Sequence, residues 1–161
     1  MTERSDHTVG RLATPLSLAQ AATIVDAALA AGRTADLEPL TVAVLDAGGH
    51  LIALKREDGS GILRPQIAIG KAWGALGMGV SSRTLGQRLA ERASFQAALS
   101  AAAHGRFVAV PGGVLVRAAT GEIIGAVGVS GDTSDKDEYA AITGVRAAGL
   151  EPDPPAAVED W

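Results

Sequence analysis

The stretch Gly125–Gly131, Gly-Ala-Val-Gly-Val-Ser-Gly, restricts what this chain can fold into more than any other. Ile123-Ile124 leads into it and Asp132-Thr133-Ser134 leads out toward a helix start. The β-branched residues ask for extended backbone, whereas glycine weakens a strand through its conformational freedom. Repeated glycine inside such a strand marks a site wall that a ligand approaches closely, or a central strand packed tightly by its neighbours. Both readings stand on the residues alone.

The rest of the chain supplies the elements around that strand. Leu16-Ser17-x-x-Gln20 is a capping box with a hydrophobic staple from Leu16 to Ala21, and apolar residues recur at helical spacing to Leu29. The pattern predicts a helix over Ser17–Ala31, closed by Gly32. Leu40–Leu45 and His50–Arg56 read as strands joined by the turn Asp46-Ala47-Gly48-Gly49, and so as a hairpin. Period two places His50, Ile52, Leu54 and Arg56 on one face. His50 and Arg56 then lie about 20 Å apart, too far to act on one small group.

Pro65 opens a helix to about Met78. Gln66, Gly70, Gly74 and Gly77 share one face of it, and apolar side chains cover nearly all the rest. A glycine face predicts a neighbouring helix, a second subunit or a flat ligand lying on it, or burial of the whole helix in the core. Lys71 sits at the edge of the apolar arc, where a lysine normally snorkels to water. Two short helices are expected next. One is capped by Ser81-Ser82 and runs to about Arg92; the other covers Ser94–Ala103, with Phe95, Ala98, Leu99 and Ala102 as its buried stripe. His104-Gly105 ends that helix, and the helix dipole explains a histidine there.

Strands follow at Phe107–Val110, Val114–Arg117 and Ile123–Val129, separated by Pro111-Gly112-Gly113 and Ala119-Thr120-Gly121-Glu122. Ser134-x-x-Asp137 then caps a helix to about Ala148, with Asp135, Asp137 and Glu138 complementing its dipole. The 161 residues make one domain. Residues 1–13 are a polar lead-in, 14–150 the folded unit, and 151–161 a proline-bearing tail that packs on the surface or on a neighbouring subunit. Tight glycine turns predict an antiparallel sheet in an α+β fold.

Several functions are excluded by composition. A net charge of −4 leaves no basic excess for a phosphate backbone, so no nucleic-acid partner is expected. Without cysteine there is no thiolate metal site, no iron–sulfur cluster and no Cys nucleophile. Arg64, Gln66 and Lys71 interrupt the longest apolar run, Ile62–Val80, which argues against a membrane span. Met1–Gly10 lacks the apolar core of a signal peptide, and a cytoplasmic protein is expected. Small residues do much of the filling, and weak individual helices favour a homo-oligomer. The spacing Gly-x-x-Gly-x-x-Gly is not that of a dinucleotide-binding turn, and the acidic loop after it would repel phosphate. His7, His50 and His104 are too scattered for a histidine metal site within one chain. The titratable groups near glycine turns are Asp46, His50, Arg56, Lys71, Asp132 and Asp137.

Five segments taken in order carry a resemblance. They are Val44-Leu45-Asp46-Ala47-Gly48-Gly49-His50-Leu51, Arg56-x-Asp58-Gly59-Ser60, Ala68-x-x-Lys71-Ala72, Pro111-Gly112-Gly113, and Ile124–Gly131 with Asp137 following. Over about Leu16–Gly149 the chain resembles the GlcG/HbpS-like family of haem-binding or haem-degrading proteins, which includes the C-terminal domain of PduO-type proteins. The resemblance implies a profilin-like α+β fold with a five-stranded antiparallel sheet flanked by helices, assembly into homo-oligomers, and haem or a related tetrapyrrole as the small-molecule ligand.

On that basis Gly48, Gly49, His50, Gly112, Gly113, Gly125, Gly128 and Ser130 are the expected ligand-binding positions. His50 and His104 are the chemically plausible iron ligands if haem binds, with Met78 and Lys71 behind them. Only 3% of residues are aromatic, so stacking partners for a haem are scarce. The alternative is a small-molecule catabolic enzyme of lyase, isomerase or hydrolase type, with Lys71 or Asp137 as acid/base and Arg56 holding a carboxylate. A third reading makes the chain a structural or assembly partner of a metabolic enzyme.

Overall fold

The computed structural model describes residues 8–161; His7 and most of the polar lead-in lie outside them. Helix α1 (Leu18–Thr34) starts at the Ser17–Gln20 capping box, with both reciprocal bonds formed. It runs past Gly32, which does not take the left-handed backbone that would end a helix and whose missing side chain leaves room for Leu40. Strands β1 (Thr41–Asp46) and β2 (Leu51–Arg56) form the expected hairpin, with a register shift at Val44/Leu45. Helix α2 spans Arg64–Met78, and α3 (Ser82–Leu89) and α4 (Ala93–Ala102) follow. Strands β3 (Gly113–Arg117) and β4 (Ile123–Ser130), helix α5 (Ser134–Ala147) and strand β5 (Glu151–Asp153) complete the order.

The strands form one antiparallel sheet in the order β2-β1-β4-β3-β5, so the glycine strand β4 is central. Side chains alternate across it. Val127 and Val129 face α1 and α5, in a core with Ile24, Val25, Val42, Val114, Ala140 and Val145. Ala126 lies against Ala72 and Ala75 of α2 on the other face, with Leu45 and Leu115. Gly128 belongs to that second face. A Cβ there would collide with the Ala68 carbonyl oxygen, and one at Gly113 with the Lys71 carbonyl oxygen. Small residues on one side of β4 and valines on the other let α2 come down onto the sheet while α1 and α5 stand off at ordinary side-chain distance.

Several expectations are corrected. Residues 107–110 are not a strand. Val108 N–H donates to the Gly70 carbonyl at 3.2 Å, and Phe107 packs beside Gly74, so this segment lies on the glycine face of α2. That face is covered by the chain itself where Gly70 and Gly74 lie, and Gly77 is backed by Trp73 of the same helix. The fifth strand comes from the expected tail: Leu115, Val116 and Arg117 pair with Asp153, Pro152 and Glu151. Arg117 reinforces this with a 2.7 Å bond to Asp153. Pro152 fits because β5 is an edge strand. No residue of α4 is buried, so its expected stripe does not face the core; only Leu99 packs, partly, against the small cluster of Leu85, Leu89, Ala103, Phe107 and Ala109. Helix α5 is capped from Thr133 without a side-chain bond, and the expected Ser134–Asp137 box does not form, the Asp137 carboxylate accepting from Lys71 and Asp132 N–H instead.

Candidate functional site

The expected site residues fall into separate places. At one end of the sheet, where Asp46 pairs with Gly125, the β1–β2 turn presents His50. Asp46 Oδ1 accepts from Gly48 N–H at 2.8 Å and His50 N–H at 3.0 Å, and lies 3.3 Å from His50 Nδ1. These donors, led by the His50 backbone N–H, hold the Asp46 carboxyl below its ordinary value against a smaller opposing effect of burial. The two glycines are wedged between rings. A Cβ on Gly48 would sit 2.9 Å from His50 Nδ1, and one on Gly49, where φ is +82°, 2.9 Å from Trp73 Nε1. The imidazole itself is 81% exposed. Its Nδ1 edge is turned to Asp46, which leaves Nε2 on the outer edge.

Two clefts flank this turn and share Gly48. One, of about 490 Å³, is lined by Leu12, Pro15, Leu18, Asp46, Ile52 and their neighbours. The other, of about 120 Å³, lies against Trp73, Leu76 and Gly77.

At the other end of β4, roughly 16 Å along the strand, a polar cluster is buried between α2, α3 and α5. Lys71 Nζ donates to Asp137 Oδ2 at 2.8 Å, with the two side chains 2% and 1% exposed. Asp137 Oδ1 also accepts from Asp132 N–H at 3.0 Å. The Lys71 side chain does not snorkel, because the Asp137 carboxylate is the nearer partner. Gly112, at φ +115°, gives Nζ its space; a Cβ there would lie 2.9 Å from it. Arg64 donates to the buried Ser130 hydroxyl at 3.1 Å, and Ser82 Oγ accepts from Gly113 N–H at 2.7 Å. Glu138 Oε2 takes Arg83 Nε at 2.7 Å, while Arg83 also holds Asp135. Burial pushes Lys71 below its ordinary value, with Asp137 opposing, and pushes Asp137 up, with Lys71 opposing. Burial also raises Glu138 against the pull of Arg83. Such a pair can exchange a proton, and equally it can simply tie α2 to α5.

The remaining candidates join neither place. Arg56 lines a separate cleft with Arg33, Pro39, Lys55 and Glu57. His104 is exposed on the left-handed turn after α4, at φ 52°. Met78, 45% exposed, borders a 160 Å³ apolar cleft with Trp73, Leu99 and Phe107. Gly125 serves packing: Leu16 Cδ2 would lie 2.6 Å from a Cβ there. Reading the residues in order missed Trp73 as a neighbour of the turn, and Arg83, Glu138 and Arg64 as members of the buried cluster. Glu138 reads as an ordinary dipole complement, and nothing in the order of residues ties Arg83 to it across 55 positions.

A five-stranded antiparallel sheet between α1/α5 on one face and α2 on the other, with a glycine-lined turn at one end and a buried ion pair at the other, defines an α+β protein of profilin-like architecture. The chain belongs to the HbpS-like family, described as haem-degrading, whose family model matches residues 16–146. Among solved structures, a double mutant of HbpS from Streptomyces reticuli is 27% identical with a TM-score of 0.71, over 91% of this chain and 94% of that one. PduOC in complex with haem is 24% identical with a TM-score of 0.73, over 84% and 96%. Klebsiella pneumoniae protein ORFY is 22% identical with a TM-score of 0.76, over 88% and 96%. No curated protein matches this chain.

Among the described residues no three His, Asp or Glu side chains gather in a way that could hold a metal ion. A haem asks less, because its porphyrin supplies four of the iron's ligands and the protein adds axial ones. The turn offers an outward imidazole with a carboxylate on its other nitrogen. Asp46, Ala47 and Gly48 of the same turn, though not His50, line the larger cleft, which is within the usual size range of small-ligand pockets. No helix among the described residues is long and apolar enough to cross a membrane.

Proposed function

We propose that this chain is a haem- or tetrapyrrole-binding protein that holds its ligand at the Gly48–His50 turn and works as a homo-oligomer. The observation that carries this reading is the exposed His50 imidazole, backed on Nδ1 by Asp46, which itself lines the 490 Å³ cleft. The Asp46 contact orients the ring and favours the tautomer with Nε2 free to ligate. Gly48 and Gly49 bring the backbone within reach of both rings, and Leu18 and Ile52 offer apolar surface to a flat ligand. When bound, haem supplies an iron centre whose potential follows its axial ligand. The family's description and the haem complex of PduOC support the same ligand class. Lys71 is a poor ligand candidate, because it is buried and already bonded to Asp137.

Hemin titration tests this reading. The wild type is expected to develop a Soret band that His50→Ala abolishes and His104→Ala retains. A His50→Ala spectrum equal to the wild type, or no band with the wild type, refutes it.

A second reading, a small-molecule enzyme, draws support from the Lys71–Asp137 pair, whose two groups are pushed toward their neutral forms by burial. Assembly is supported by α4, an apolar helix with no buried residue.

A further inference from the structure

We propose that residues 9–15 form an apolar strap closing the far side of the 490 Å³ cleft, with Leu12 as the side chain that covers the ligand's face; this rests on the haem reading above. The strap has neither helix nor strand, yet one end of it is firmly held. Leu16 is 1% exposed in the main core, seated in the space left by the absent side chain of Gly125. The next residue, Ser17, caps α1. Pro15 restricts Thr14 to extended backbone, so the chain leaves this anchor in a set direction. Leu12 and Pro15 line the cleft together with Asp46, Gly48 and Ile52.

Leu12 is 90% exposed and Val9 82% exposed, and Leu12 lines the cleft. A flat apolar ligand seated there removes Leu12 from water at little cost in order, because only the few residues before the Leu16 anchor need to settle. His50 and the strap then do different work. The imidazole decides whether iron is ligated, and Leu12 decides how long the ligand stays, since added apolar contact slows dissociation.

The test compares full-length wild type with Leu12→Asp, using Ile62→Asp, another exposed apolar position, as the control. Each is loaded with hemin and mixed with excess apomyoglobin while the Soret band is followed. The Soret band is expected in all three proteins, with release about tenfold faster from Leu12→Asp alone. Equal release rates overturn the proposal. If the wild type forms no Soret band, the haem reading fails and the strap is judged by anilinonaphthalene sulfonate fluorescence. Emission lowered by Leu12→Asp supports the apolar wall, and unchanged emission overturns it. A lower mass for Leu12→Asp by light scattering also overturns it, because Leu12 would then lie between copies.

Discussion

Lys71 and Asp137 are both withdrawn from water, and neither can be removed without stranding the other. Breaking a buried ion pair from one side costs about 3–5 kcal/mol, whereas replacing both partners by uncharged groups of similar size is far less costly. Lys71→Met and Asp137→Asn are each expected to lose about 3 kcal/mol or more in urea unfolding, and the double variant is expected to recover much of that loss. Asn keeps an acceptor for Asp132 N–H, so the cycle isolates the pair. Independent, additive losses would show that the pair does not stabilise the fold as a unit.

Glu138 gives a pH signature at the same scale. Burial raises its carboxyl above the ordinary value of 4.5, with Arg83 opposing. The folded state therefore binds this proton more tightly than the unfolded chain does. The group's contribution to stability grows as pH falls through the raised value and is complete below 4.5. Glu138→Gln is expected to flatten that part of the unfolding-midpoint profile between pH 4 and 8; a profile parallel to the wild type would contradict the assignment.

Strand β4 and helix α2 behave as one element pair. The glycines of β4 are required where they face α2, because the helix backbone occupies the space of a Cβ at Gly128. Gly128→Ala is expected to cost about 3 kcal/mol or more in thermal or urea unfolding, as overpacking against backbone cannot be relieved by a rotamer change. Gly10→Ala, where nothing lies within 4 Å of the added Cβ, is the control and is expected to be neutral. Helix α4 shows how far periodicity alone reaches. Its apolar stripe is plain in the sequence, but the helix lies outside the layers formed by α1, α5, the sheet and α2, and none of its residues is buried.

For the whole molecule, that uncovered face is where assembly is best tested. Phe95 is 38% exposed on α4, beside Arg92, whose guanidinium lies 4.4 Å from its ring centre. Phe95→Glu is expected to lower the mass measured by light scattering with the circular dichroism spectrum unchanged. A mass equal to the wild type would remove α4 from the interface. Taken with the hemin titration of His50→Ala, this separates assembly from ligand binding.

Much of the architecture was legible in the order of residues because its causes are local. Ser17 and Gln20 cap α1 within four residues, and Gly48-Gly49 turns one strand into the next. The choice between a packed strand and a site wall depends on what lies across from each glycine, and only tertiary structure supplies that. It put the Ala68 carbonyl over Gly128, Leu16 over Gly125 and Lys71 Nζ beside Gly112. It also made residues 151–153 an edge strand and residues 107–110 a cover for α2, since backbone pairing depends on which edge is open. The pairing of Lys71 with Asp137 across 66 positions, and the separation of both from His50, likewise follow from the path of α2 across the sheet. Gly128 is thus compelled by α2, Gly125 by Leu45 and Leu16, and Gly131 by Pro39 and Leu40, and the turn that presents His50 is the feature left facing outward.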